Sequence, residues 1–145
     1  MKINLEESWK INAKNIEYKF KNFKKNPFYK IRIESVNKLI KVKWSNHIIA
    51  KSSQCIALHE ESHTKVYYFP QDSIEKEYFF RTDFATHCPY KGNATYWTLS
   101  DKNSNAKNSV WAYPQPYKNL IQIKDYFAFY TNDMGKDYGI RVIEK

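Results

Sequence analysis

Cys88 and Lys91, three residues apart in Thr86-His87-Cys88-Pro89-Tyr90-Lys91-Gly92, are the side chains of this sequence best suited to chemistry. A thiolate is a strong nucleophile, and an ammonium across a short turn favours thiolate over thiol. Cys88 is therefore the candidate catalytic residue, with Lys91 as its activator. A general base is harder to supply. His87 is adjacent, and in the extended backbone that Pro89 favours for Cys88, successive side chains point to opposite faces. The same letters also describe an ordinary type I turn, with Pro89 second and Gly92 at positive φ, opening a hairpin strand.

A second pattern, His59-Glu60-Glu61-Ser62-His63, has the H-E-x-x-H spacing of zinc hydrolases. That chemistry needs both histidines on one face of a helix. The β-forming run Thr64-Lys65-Val66-Tyr67-Tyr68-Phe69 follows at once, so the expectation is strand and turn, with no metal and no cofactor. The two cysteines, Cys55 and Cys88, are too few and too far apart for a disulfide framework or zinc ribbon, and read as free thiols.

Aromatic residues are the third source of chemistry, at 17% of the sequence with 12 Tyr, 9 Phe and 4 Trp against only 3 Gly. This composition suits half-buried strands and flat contact surfaces. If strands 93–99 and 109–113 pair symmetrically across their loop, Trp97 faces Trp111 and Thr95 faces Tyr113. Such a face is either core or the wall of a pocket. As a pocket it would be lined by Trp97, Trp111, Tyr113 and Tyr130, with Cys88 and Lys91 at the rim and Lys91 pairing an anionic group of the ligand.

The elements that must position these residues read as mainly β. Beyond Asn26-Pro27 the pattern has period two: Tyr29, Ile31 and Ile33 alternate with Lys30 and Arg32, then Ile40, Val42 and Trp44 with Lys41 and Lys43. Ser45-Asn46-His47 marks a tight turn into Ile48-Ile49-Ala50. Further strands are expected near 54–59, 64–69, 77–81, 93–99, 109–113, 124–130 and 138–143, with a helical turn at Asp72-Ser73 and a loop over 100–108. Residues 27–145 thus form a single β domain. Residues 1–26 are a basic extension, where Leu5, Trp9, Ala13, Ile16, Phe20 and Phe23 recur at helical spacing.

The net charge of +9 lies entirely in the first 51 residues, which hold 13 Lys and Arg against 4 Glu. Lysines interleaved with Phe20, Phe23, Phe28 and Tyr29 leave nucleic-acid binding open. It is not favoured, because only Arg32, Arg81 and Arg141 supply the guanidinium preferred for phosphate. Without a signal peptide or an apolar span, the expected location is the cytoplasm.

Four ordered blocks identify a resemblance. Val66-Tyr67-Tyr68-Phe69-Pro70, then Thr86-x-Cys88-Pro89-Tyr90-Lys91-Gly92-x-Ala94-x-Tyr96-Trp97, then Trp111-x-Tyr113-Pro114-x-Pro116, and finally Tyr126-Phe127-Ala128-Phe129-Tyr130 resemble the bacterial family known as domain of unknown function 427. The likeness extends upstream through Ile49-Ala50-x-Ser52 and Glu60. It implies compact antiparallel sheets in a tent-like or barrel-like arrangement, similar to folds that hold ligands between two sheets, and it carries no activity. The nucleotidyltransferase-like label sometimes given to the family finds no support here, since no Asp-x-Asp is present for a two-metal site. Three functions stand: a small-ligand-binding β domain, a cysteine enzyme using Cys88, and an interaction module working through the basic extension.

Overall fold

A computed structural model of the protein describes residues 29–144. The expected helix over about 4–24, and the nucleic-acid reading that rests on residues 1–26, lie outside them. Ten strands follow in order: β1 (Ile31–Ser35), β2 (Ile40–Trp44), β3 (His47–Ser52), β4 (Ile56–Glu60), β5 (Val66–Tyr68), β6 (Phe79–Cys88), β7 (Gly92–Ser100), β8 (Asn105–Ala112), β9 (Ala128–Phe129) and β10 (Ile140–Glu144). They make three antiparallel sheets ordered β1-β4-β5, β10-β2-β3 and β6-β7-β8-β9. Among the described residues these sheets do not close into a barrel. No helix of the described residues is long and apolar enough to cross a membrane.

Local chemistry accounts for the turns. Ser45 and Asn46 both take positive φ, +49° and +67°, which matches the twist of a two-residue hairpin loop between β2 and β3. The expected helical turn forms at Gln71–Ser73, where Ser73 Oγ donates to the Pro70 carbonyl at 2.6 Å. The expected loop over 100–108 is shorter, because β8 starts at Asn105. Asp101 closes that loop by accepting from the backbone N–H groups of Asn103 and Ser104, at 2.9 and 2.7 Å.

Two of the sheets continue into one another. Phe69 and Phe127 exchange both backbone N–H···O bonds at 2.8 Å, so the β5 edge joins the β9 side of the four-stranded sheet. The resulting surface is buried on both faces, and period-two alternation sorts its side chains into two cores. Ala57, Tyr67, Phe69, Val110, Ala112 and Phe129 enter the first, which the β10-β2-β3 sheet covers with Ile40, Val42, Trp44, Ile49 and Ile140. Leu58, Tyr68, Trp111, Tyr113 and Ala128, their neighbours in sequence, enter the second, which Leu120 and Ile123 help to close. The first core is almost wholly apolar. The second carries the hydroxyl groups.

Candidate functional site

The turn after β6 brings the chemistry into the second core. The Lys91 N–H donates to the Cys88 carbonyl at 3.3 Å across Pro89 and Tyr90, and Gly92 follows at φ +120°, as the turn residues require. A side chain at position 92 would place its Cβ 3.1 Å from the Gln115 carbonyl oxygen. The next segment also seats itself on the turn, where the Tyr117 N–H donates to the Lys91 carbonyl at 3.1 Å. Gly92→Ala is therefore expected to lower stability by about 1–3 kcal/mol through backbone strain. A shift of the denaturant midpoint measures it, and an unchanged midpoint would contradict this account of the turn.

Lys91 is 8% exposed and points at Glu60, the last residue of β4. Its Nζ donates to Glu60 Oε1 at 2.7 Å, and the Tyr29 hydroxyl donates to Oε2 at 2.5 Å. Tyr29 in turn stacks on Tyr90, with ring centroids 4.3 Å apart. Burial alone would raise the Glu60 pKa, but the hydrogen bonds from Lys91 and Tyr29 and the ammonium charge outweigh it and hold the carboxyl below its ordinary range. The pair is thus ionised and internally neutral. Lys91, expected to pair an anionic group of a ligand and to activate Cys88, is thus paired with Glu60.

Cys88 is half-buried and packs against the second core, which holds Tyr68, Tyr96 and Tyr113. Burial is the largest reason that Tyr68, Tyr96, Tyr113 and Tyr130 titrate above the ordinary phenol range, so all four keep their protons at neutral pH. Tyr96 and Tyr130 are committed: the Tyr96 hydroxyl shares hydrogen bonds with Thr86 Oγ1 at 2.9 Å and with the Tyr130 hydroxyl at 3.5 Å.

Tyr68 and Tyr113 differ. Tyr68, 1% exposed, accepts the Trp111 indole N–H at 3.3 Å, and its own O–H has no acceptor among the described residues. Tyr113, 6% exposed, makes no hydrogen bond through its hydroxyl to any described residue. Yet no sealed side-chain oxygen or nitrogen among the described residues lacks a partner, so the Tyr113 hydroxyl must reach an opening. The two rings lie 6.5 Å apart. Among the described residues, then, nothing accepts the O–H protons of these two neighbouring tyrosines.

The expected indole pair does not form. Tyr96, not Trp97, faces Trp111, while Trp97 faces Val110, one residue from the symmetric register. The shift turns Trp97 to the first core, edge-on to Phe127 at 4.8 Å with the Arg81 guanidinium 5.4 Å over its ring. Trp97 therefore does not line a pocket with Trp111. Trp111 is buried, with Tyr130 at 4.4 Å and Tyr68 edge-on at 6.3 Å, and serves as the back wall that fixes both phenols. Tyr130, also expected to line the pocket, lies beside Trp111.

His59-Glu60-Glu61-Ser62-His63 is strand and turn, as its sequel suggested. His59 contacts Glu34 Oε1 at 2.6 Å from β4, whereas His63 Nδ1 bonds the Glu61 carbonyl at 2.9 Å beyond the turn. The glutamate of the motif instead holds Lys91. His87 pairs with Asn93 at 2.5 Å, on the side of β6 away from Cys88. Sequence reasoning missed Tyr68, Tyr29 and Tyr96 as site residues, although Glu60 and Tyr68 both fall within the stretches that carry the resemblance. Among the described residues, concavities of about 160, 450 and 510 Å3 lie elsewhere on the surface, the last of these along His47, Tyr78, Phe80 and Asp101.

Comparison with known proteins agrees with the four blocks. Residues 32–139 match the family model described as Domain of unknown function (DUF427), and the chain belongs to that family. Among the curated proteins none matches it.

Proposed function

We propose that this member of the DUF427 family binds an uncharged, planar small molecule whose acceptor oxygen sits between the Tyr68 and Tyr113 hydroxyls, with Cys88 at the edge of the ligand. The observation that carries the reading is the pair of buried phenols with unused O–H protons. At the opening that the Tyr113 hydroxyl reaches, a ligand oxygen can accept the proton that no described residue takes. The surrounding Trp111 and Tyr130 rings and Leu58 supply apolar cover of the kind that small-molecule sites use around a few directed polar groups. Compensation of Lys91 by Glu60 argues for a neutral ligand over an anionic one.

A thermal-shift screen of uncharged planar carbonyl compounds, with nicotinamide, cinnamamide and coumarin in the first panel, tests this. At least one compound is expected to raise the wild-type melting temperature and to leave Tyr113→Phe unmoved. A panel without a hit, or hits of equal size in Tyr113→Phe, would overturn the reading.

A further inference from the structure

We infer that the outer face of the β10-β2-β3 sheet is a docking surface for the phosphate backbone of a nucleic-acid duplex, held by Lys41, Lys43, Lys51 and Arg141. This surface is separate from the phenol site and does not rest on it. Alternation in β2 buries Ile40, Val42 and Trp44 in the first core and turns Lys41 and Lys43 outward. Pairing does the rest. Arg141 of β10 lies opposite Lys43, which faces Ile48 of β3, and Ile143 lies opposite Lys41, which faces Lys51. An extra residue in β3, where the register shifts between Val42 and Lys43, keeps both Ile48 and Lys51 on the exposed side.

The face thus carries four cations in two rows and no carboxylate. Glu144 is the one acidic residue of the three strands, and its oxygens are taken by Lys38 and the Tyr67 hydroxyl, at 3.0 and 2.8 Å. None of the four cations forms an ion pair with a described residue. Lys41 opposite Lys51, and Arg141 opposite Lys43, are like-charge pairs of the kind that weaken a sheet. A polyanion laid across the face would turn that repulsion into attraction.

A nucleic-acid backbone fits this face better than a membrane does. Cross-strand neighbours stand about 5 Å apart, and successive outward residues of one strand about 6.6–6.8 Å, close to the spacing of successive phosphates along a nucleic-acid strand. Ile48, 40% exposed, is the one large apolar side chain strongly exposed on these strands, and a lipid surface needs a larger apolar insertion beside its cations. The outward residues include no aromatic ring on which unpaired bases could stack. A duplex therefore suits the face over a single strand, held through its phosphates without regard to sequence.

Fluorescence anisotropy of a labelled mixed-sequence DNA duplex of about 20 base pairs, titrated with the full chain between about 50 and 200 mM salt, tests this. Each phosphate contact adds about 0.9 to the slope of log affinity against log salt, so four contacts alone weaken binding about 100-fold over that range. In Lys41→Gln/Lys43→Gln/Lys51→Gln/Arg141→Gln the slope is expected to fall by about 3–4, and in Lys41→Gln/Lys51→Gln by about half as much. Lys118→Gln/Lys124→Gln, which removes two exposed lysines from the segment that closes the second core, should leave it unchanged. Lysines also precede β1, so the loss of slope locates the contact, which binding alone would not. Urea midpoints of both sheet variants should equal or exceed that of the wild type, because the like-charge pairs are gone. No binding by the wild type at low salt, or an unchanged slope in either sheet variant, would overturn the inference. So would capture of the wild type by vesicles containing phosphatidylserine, lost in the quadruple variant, with no matching response to the duplex.

Discussion

Lys91→Met is expected to destabilise the domain by about 3–5 kcal/mol, the cost of leaving one member of a buried ion pair behind. The side chains of Lys91 and Glu60 are only 10% and 14% exposed, so water cannot readily replace the lost partner. Methionine keeps most of the volume, which isolates the charge from the packing. Glu60→Gln in the Lys91→Met background should recover part of the loss, since it removes the orphaned carboxylate. The pH dependence follows from the same pair. Glu60 has a lower pKa folded than unfolded, so its contribution is complete above the ordinary carboxyl value and disappears as pH falls through the lower, folded one. In Lys91→Met, with the ammonium gone, burial raises the carboxyl, and this site should lose less stability on acidification than in the wild type. Urea midpoints at neutral and acid pH measure both effects. A loss under about 1 kcal/mol would mean that the pair behaves as an exposed surface bridge.

Trp111→Ala is expected to cost a similar 3–5 kcal/mol, as large-to-small changes at buried aromatic positions do. Its ring is 7% exposed, covered by Tyr130 and by the edge of Tyr68, and its N–H is the one donor to the Tyr68 oxygen among the described residues. Trp111→Phe should fall between, keeping much of the packing while releasing Tyr68. Both variants should lose the response to carbonyl compounds, because the first unseats two phenols and the second frees one to rotate. Chemical unfolding supplies the stability, and the thermal-shift panel supplies the binding. Near wild-type stability for Trp111→Ala would contradict the packing that these neighbours give the indole.

The strands were legible because alternation is local: Ile40, Val42 and Trp44 against Lys41 and Lys43 read directly as one buried and one solvated face, and β2 has that pattern. The Asn46 turn and the Cys88–Gly92 turn were legible for the same reason, through residues that tolerate the required φ. Pairing register was not. The β7–β8 ladder differs by one residue from the symmetric choice and shifts again between Trp97 and Leu99, and one step moves an indole from one core to the other. Nothing within a single strand encodes that step. The Lys91–Glu60 bond spans 31 residues and depends on how β4 docks beside the turn, so Lys91 alone looked like a ligand anchor. Tyr68 and Tyr113 meet only because the Phe69–Phe127 bridge joins two sheets.

The unused proton of Tyr113 is the feature on which the functional reading turns, and the stability of Tyr113→Phe tests it most directly. Deleting a hydroxyl that the fold does not bind should leave the urea midpoint unchanged or slightly raised, within about 0.5 kcal/mol. A loss above about 1 kcal/mol would contradict the account, for it would mean that the hydroxyl already has its partner inside the protein and nothing left to offer a ligand.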